Sequence, residues 1–260
     1  MTNEPCAVLC DLDGVVWLSH QPIPGSVEAI ADLRAAGHRV LFVTNNSSAT
    51  VVAQEAALAA IGIPAVGDVL TSAMAAALLI EPGERVHVCG GAGIVEAVER
   101  RGGTVGTGES CDAVMVGFHR TFDFDGLTVA STLVRRGARL IGTNDDATYP
   151  TPDGPIPGGG SILAAVATAS GVQPVIAGKP HEPMARLVRE VIGEPAARAA
   201  VMVGDRPETD GLFATQLGCR YAIVWSGVTR ASAAVTPTPD IAADDLASVA
   251  EHLLGRRRSA

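Results

Sequence analysis

Three aspartates, a threonine and a lysine carry the chemistry that can be read from this chain. Asp11 and Asp13 stand two residues apart in Asp11-Leu12-Asp13-Gly14, directly after the apolar run Cys6–Cys10. At a strand end that spacing lets both carboxylates face one side, and Gly14 permits a tight turn. Thr44 opens the polar cluster Thr44-Asn45-Asn46-Ser47 after Leu41-Phe42-Val43, and Asp205 follows Val203-Gly204 in the same manner. Carboxylates held close together repel one another and shift upward in pKa unless a cation joins them. Hard oxygen ligands of this kind point to Mg2+. Among the 19 Lys and Arg residues, Lys179 in Gly178-Lys179-Pro180 is the only lysine. Lysine is a compact point charge where arginine is a planar fork, so a site that needs the former would keep it. Mg2+ and Lys179 would together neutralise a phosphate, with Thr44 and loop N–H groups as donors, and a carboxylate could then act as nucleophile. No G-x-x-x-x-G-K-[ST] occurs, which excludes a P-loop nucleotide site.

The elements that must position these residues alternate regularly. Near-continuous apolar runs at Cys6–Cys10, Val40–Val43, Val86–Cys89, Ala113–Val116, Leu140–Ile141, Ala200–Val203 and Tyr221–Val224 predict strands covered on both faces. Helical stretches are expected over Val27–Ala36, Thr50–Ile61, Ala92–Arg101, Gly126–Arg136, Ile162–Ala169 and Met184–Ile192. Five of them run into a glycine (Gly37, Gly62, Gly102, Gly137, Gly193), as a left-handed helix end requires. This βαβ grammar predicts an α/β fold, a Rossmann-like doubly wound parallel-sheet core. Ligands in such sheets bind beyond the carboxyl ends of the strands, where Asp11, Asp13, Thr44 and Asp205 would converge. Pro/Gly seams at Ile80–Glu84 and Gly171–Pro174 enclose a stretch with its own strands and helices. The expected division is a core over 1–80 and 176–260 with an inserted α/β cap over 81–175. The pentapeptide AVMVG occurs twice, at Ala113–Gly117 and Ala200–Gly204, followed once by Phe118-His119 and once by Asp205-Arg206. The shared part builds a strand; the differing part is free for function.

Taken in order, these residues resemble the four motifs of the haloacid dehalogenase (HAD) superfamily of phosphatases. Asp11-Leu12-Asp13-Gly14-Val15 is similar to the first motif, Thr44-Asn45-Asn46 to the second, Gly178-Lys179-Pro180 to the third and Gly204–Asp210 to the fourth. Thr44–Ser48, Gly142–Thr148 and Pro157–Ser161 resemble the NagD-like subfamily, whose large α/β cap lies between the second and third motifs. The resemblance implies a phosphatase for a small phosphorylated metabolite. It implies that Asp11 attacks phosphorus and that Asp13 protonates the leaving oxygen and later activates water. Thr44 and Asn45 would hold phosphoryl oxygens and Lys179 would neutralise the phosphate. Asp11, Asp205 and the Asp13 backbone carbonyl would bind Mg2+, with Asp210 nearby to orient loop amides or water, and Asn46 in support. Departures from the pattern are His119 where Asp is common, Asp145 where Pro is common, and Ala49 where a basic residue is common. His119 stands either as a specificity residue or as a plain loop histidine. A phosphotransferase or mutase using the same intermediate, and a catalytically idle phosphometabolite-binding module, are the alternative readings.

Composition sets the outer bounds. The chain has 260 residues, 47% hydrophobic and 18% charged, which suffices for a packed core and excludes general disorder. A net charge of −9 disfavours nucleic acid as partner. No apolar run reaches the roughly 20 residues of a membrane span, and the opening residues lack the basic start of a secretory signal. Five scattered cysteines without a C-x-x-C pair suit reduced thiols, so a cytoplasmic location is the expectation. Cap-mediated homodimers are known in the family, but no surface in the sequence identifies one. Gly90-Gly91-Ala92-Gly93 is a weak dinucleotide-like signal, short of G-x-G-x-x-G. Trp17 and Trp225 are expected in the core, and the tail Arg256-Arg257-Arg258 on a solvated end.

Overall fold

Two parallel sheets organise the chain. The computed structural model describes residues 4–256 apart from 107, 109, 150, 152, 153, 232 and 233. Pro150, Pro152 and Asp153 of the Pro/Gly stretch, and Arg257 and Arg258 of the tail, therefore lie outside the described residues. The chain forms two compact units. One holds the residues up to Thr44, Gln54–Leu70 and those from Val188 on; the other holds Asn45–Ala53 and Thr71–Leu187.

The first unit contains a six-stranded sheet in the order Ile241–Ala243, Arg220–Val224, Val201–Gly204, Ala7–Cys10, Arg39–Thr44, Val69–Thr71. Counted along the chain within this sheet the order is 6-5-4-1-2-3, the doubly wound Rossmann arrangement. The strand Ala7–Cys10 pairs in parallel with Val201–Gly204 on one side and Arg39–Thr44 on the other. The chain thus reverses its direction of winding between the strands that deliver Asp11 and Asp205. All four residues of Ala7–Cys10 and of Val201–Gly204 are buried, as strands covered on both faces must be. The helix Ser26–Ala35 buries Ala29, Ile30 and Leu33 at helical spacing and packs against Leu246–Leu253.

The second unit contains a five-stranded parallel sheet, ordered Val175–Ile176, Arg139–Gly142, Ala113–Val116, Arg85–Cys89, Thr104–Val105. Counted along the chain this is 5-4-3-1-2, the flavodoxin-like arrangement, with its switch point between Arg85–Cys89 and Ala113–Val116. Helices Phe124–Arg135 and Gly159–Ser170 pack together over a core that includes Val114, Val116, Leu133, Leu140, Leu163 and Val166.

The repeated pentapeptide plays one part in both sheets. Each copy is a buried strand closed by a glycine that makes room for side chains. A Cβ at Gly117 would lie 2.6 Å from both the Ser47 and Thr143 hydroxyls, and one at Gly204 would lie 2.2 Å from the Asp210 carboxylate. Gly90–Gly93 likewise serves packing. A Cβ at Gly91 or Gly93 would come within 2.5 Å or 2.1 Å of the Ser48 or Ala49 backbone oxygen, and the Gly93 N–H donates to the Ser48 carbonyl (3.0 Å). The five glycines expected at helix ends all have positive φ, between 82° and 107°. No helix among the described residues is long and apolar enough to cross a membrane.

Candidate active site

In the first unit the end of each central strand delivers a carboxylate. The Asp11 N–H continues the sheet ladder to the Val203 carbonyl (2.9 Å), so Asp11 leaves the sheet beside Asp205. The following loop doubles back at once. Val16 and Trp17 N–H groups donate to the Leu12 carbonyl, and Gly14 N–H donates to Trp17 O. Trp17 is buried, as expected; Trp225 is only half-buried. Asp13 is half-buried within this loop, and buried Thr44 closes the neighbouring strand at the same edge.

Asp210 arrives by a different route. A π-helical turn at Pro207–Gly211 turns three N–H groups, of Thr209, Asp210 and Gly211, onto the Arg206 carbonyl. Single π turns recur at functional sites because they re-aim a side chain. Here the turn brings Asp210 back toward Gly204, where its Oδ2 accepts from the Arg206 N–H (3.1 Å). Asp11, Asp205 and Asp210 each present a carboxylate oxygen within 4.8 Å of the others, and the last two are fully buried. Gly14, with φ 89°, and Gly227 leave the space Asp205 occupies; a Cβ at either would stand 2.6 or 2.0 Å from its Oδ2. That oxygen accepts the Val228 N–H (2.6 Å), whereas Asp205 Oδ1 is buried with no hydrogen-bond partner among the described residues.

A buried acceptor without a donor, in a group of three carboxylates, is a site short of positive charge. The donor set is hard oxygen throughout, and a divalent cation such as Mg2+ fits it. Burial, then Asp210, then Asp11 push the Asp205 carboxyl up to about 8 in the metal-free protein. This lies above the ordinary value of about 3.9, so the folded state holds a proton that the unfolded chain releases. The metal-free protein therefore loses stability as pH rises through that interval. Asp205→Asn removes the ionisation. In chelator at pH 8 this variant is expected to melt above the wild type, and the difference should vanish near pH 4. It should also lose the stabilisation that Mg2+ gives the wild type, about 2.7 kcal/mol at 100 times Kd and read as a rise in Tm. Thermal melts across pH, with and without Mg2+, check both.

The remaining predicted residues fall in the second unit. Asn45 is half-buried, and its side chain spans two segments. Its Nδ2 donates to the Lys179 carbonyl (3.0 Å) and to Asp146 Oδ2 (3.0 Å), while its Oδ1 accepts the Lys179 N–H (2.8 Å). Lys179 is buried, at 2% exposure. Asn46 Oδ1 accepts the Ser48 N–H (3.0 Å) and so shapes the loop. His181 meets Asp145 at 3.1 Å; that contact, outweighing burial, lowers the Asp145 pKa. His119 is half-buried at the switch point of the second sheet, its Nδ1 3.2 Å from Thr121 Oγ1 and its Nε2 3.7 Å from Cys89 Sγ. Burial lowers its pKa against the pull of Asp123.

The predicted site residues thus divide between the units: Asp11, Asp13, Thr44, Asp205 and Asp210 in one, Asn45, Asn46, His119 and Lys179 in the other. Sequence reasoning missed the Val228 N–H, the space-making Gly227, and Ser72, Asn144 and Asp146 around Asn45. Asn144 and Asp146 had a motif to flag them; Ser72 had no signal.

Comparison with known proteins gives the family. Residues 8–104 match the model of haloacid dehalogenase-like hydrolases, and residues 176–249 match a HAD-hydrolase-like model. A D-glycerol 3-phosphate phosphatase from Mycobacterium tuberculosis is 37% identical over 250 residues, covering 92% of this chain and 68% of that protein. A 5'-nucleotidase from Bacillus subtilis is 36% identical over 226 residues, covering 85% of this chain and 88% of that protein. The crystal structure of glycerol phosphate phosphatase from M. tuberculosis in complex with magnesium superposes with a TM-score of 0.85 at 34% identity, over 95% of this chain and 76% of that one. With two family models matched and relatives 36–37% identical over most of their length, the chain belongs to the haloacid dehalogenase-like hydrolase family, on its NagD-like branch.

Proposed function

We propose that this protein is a Mg2+-dependent phosphatase that hydrolyses a small phosphomonoester through an aspartyl-phosphate on Asp11. The observation that carries the reading is the carboxylate group at the switch point, Asp11 with buried Asp205 and Asp210, in which Asp205 Oδ1 has no hydrogen-bond partner among the described residues. Relatives named for glycerol phosphate and nucleotide substrates, one of them crystallised with magnesium, support the class. Asp11 and Asp205, with the Asp13 carbonyl, would hold Mg2+, and Asp210 lies within the same group. The cation supplies positive charge against which a carboxylate and a phosphate can approach.

The chain's own residues divide the work. A carboxylate oxygen of Asp11 attacks phosphorus as the bond to the leaving oxygen breaks, and Asp13 gives that oxygen its proton. Asp13 then takes a proton from water as the water attacks phosphorus and the Asp11–phosphorus bond breaks. Phosphate leaves, and both carboxyl groups return to their starting states. Thr44, Asn45 and Lys179 form the phosphate-binding set, and the inserted segment 81–175 chooses the leaving group. Asp13 must be protonated when ester binds if it is to act as the general acid.

Steady-state hydrolysis of 4-nitrophenyl phosphate tests the reading. Release of phosphate that stops on chelation and returns with Mg2+ is expected, followed by a screen of phosphorylated metabolites for the preferred leaving group. Transfer to an added alcohol in place of water would favour the phosphotransferase reading. Tight metabolite binding without turnover would favour the idle module.

A further inference from the structure

The second unit contains a chain of polar contacts that runs from the segment Pro157–Ser161 to Lys179. A primary amide has two N–H donors. Both of those on Asn45 are committed, one to Lys179 O and one to Asp146 Oδ2, while its oxygen accepts Lys179 N–H. The Asn45 side chain therefore grips the peptide of Lys179 on both sides. The Asn45 backbone is held as well: Ser72 Oγ and Asn144 Nδ2 each donate to its carbonyl at 2.7 Å. Gly178 makes the approach feasible, since a Cβ there would lie 2.6 Å from Asn45 Oδ1.

Asp146 is fixed from behind. Its N–H donates to Asn144 Oδ1 (3.2 Å), and its carbonyl accepts the Gly160 N–H (2.9 Å). Gly158 N–H and Ser161 Oγ both donate to the Ala147 carbonyl, at 2.9 and 2.7 Å. A Cβ at Gly158 or Gly160 would stand 2.4 Å from Asp146 O or 2.3 Å from Asp145 O, so only glycine lets the two loops lie this close. The segment Pro157–Ser161, which ends a strand and opens the helix Gly159–Ser170, thus supports Asp146, Asp146 holds Asn45, and Asn45 holds Lys179.

We infer that Asp146 is a positioning residue: its carboxylate fixes the Asn45 amide and through it the place of the Lys179 ammonium. Asn45 on this view serves phosphate binding by way of Lys179, its own amide protons being spent. The inference rests on the reading of Lys179 as the phosphate-neutralising group. Loss of a residue that orients a reacting group, or a misplacement of about 1 Å, costs roughly 10–100-fold in rate.

The test measures kcat and KM for 4-nitrophenyl phosphate in Asp146→Ala, Asp146→Asn, Asn45→Ala and Lys179→Met, with the Mg2+-induced rise in Tm as a second readout. Asp146→Ala and Asn45→Ala are expected to lower kcat about 10–100-fold and keep the full Mg2+ response, because the carboxylate group is untouched. Asp146→Asn keeps an acceptor oxygen and should recover most of the loss, which a purely electrostatic role would not allow. Should Asp146→Ala fail to fold, Asn45→Ala decides. Wild-type kcat in Asn45→Ala beside an inactive Lys179→Met overturns the inference and leaves the phosphatase reading standing. Wild-type activity in Lys179→Met overturns the reading itself.

Discussion

Asp11→Asn is expected to lower kcat on any phosphomonoester by about 10⁴-fold or more, the scale of losing a covalent nucleophile. Asparagine keeps the size and planar shape of the side chain, and half-buried Asp11 continues the ladder through its backbone N–H, so the loop should hold. What disappears is the anionic carboxylate oxygen, the nucleophile to which the phosphoryl group would pass. KM should move little by comparison, because Thr44 and Lys179 remain. The substitution also removes one of the charges that raise the Asp205 pKa, so any structural effect should be toward stability. A residual rate within tenfold of wild type, with Mg2+ saturating, would mean that water attacks phosphorus directly and Asp11 only binds the cation.

Lys179→Met should cost about 10²–10³-fold in kcat/KM, the range for removing one group that stabilises developing charge in a sheltered site. Methionine matches the stem of a side chain that is only 2% exposed, so packing survives while the charge goes. Lys179→Arg is the sharper variant. The other 18 of the 19 Lys and Arg residues are arginine, yet here a guanidinium would bring a planar fork to a place held for a point charge. It should rescue less than a tenth of the loss. Wild-type kinetics in Lys179→Arg would make the survival of a single lysine an accident of composition.

The sheets were legible because their central strands are short, apolar and buried on both faces. Val8, Leu9 and Cys10, and Val201, Met202 and Val203, have no exposed surface, so burial leaves no alternation to blur the signal. The helix ends were legible through glycine, since Gly37, Gly62, Gly102, Gly137 and Gly193 occupy conformations that other residues avoid. Elements of two or three residues left no periodicity to detect: Val69–Thr71, Val175–Ile176 and Ile241–Ala243 complete the sheets but fall below the length at which a pattern repeats. The helix Leu246–Leu253 had a cap signal in Asp245, whose carboxylate accepts the Ser248 N–H (2.8 Å). The hairpin joining Trp17–Leu18 to Gln21–Pro22 turns through Ser19 and His20, both at positive φ, without the Asn-Gly or Asp-Gly pair that usually marks such a turn.

At the site, the residues proposed to do chemistry announced themselves by type and by standing at strand ends. Those that hold them did not. The approach of Gly14 and Gly227 to Asp205, and of Asp146 to Asn45 across 101 positions in sequence, exists only once the chain is folded. The dinucleotide-like Gly90–Gly93 shows the converse: glycine spacing reported a close backbone approach, to Ser48 and Ala49, and chemistry was not involved.

The claim on which the mechanism stands is that phosphorus passes through a covalent bond to a carboxylate. Two successive in-line displacements at phosphorus return its original configuration, whereas a single attack by water inverts it. Hydrolysis of a phosphomonoester made chiral at phosphorus with oxygen and sulfur isotopes should therefore proceed with retention. Inversion would contradict the account, whatever activity the enzyme showed.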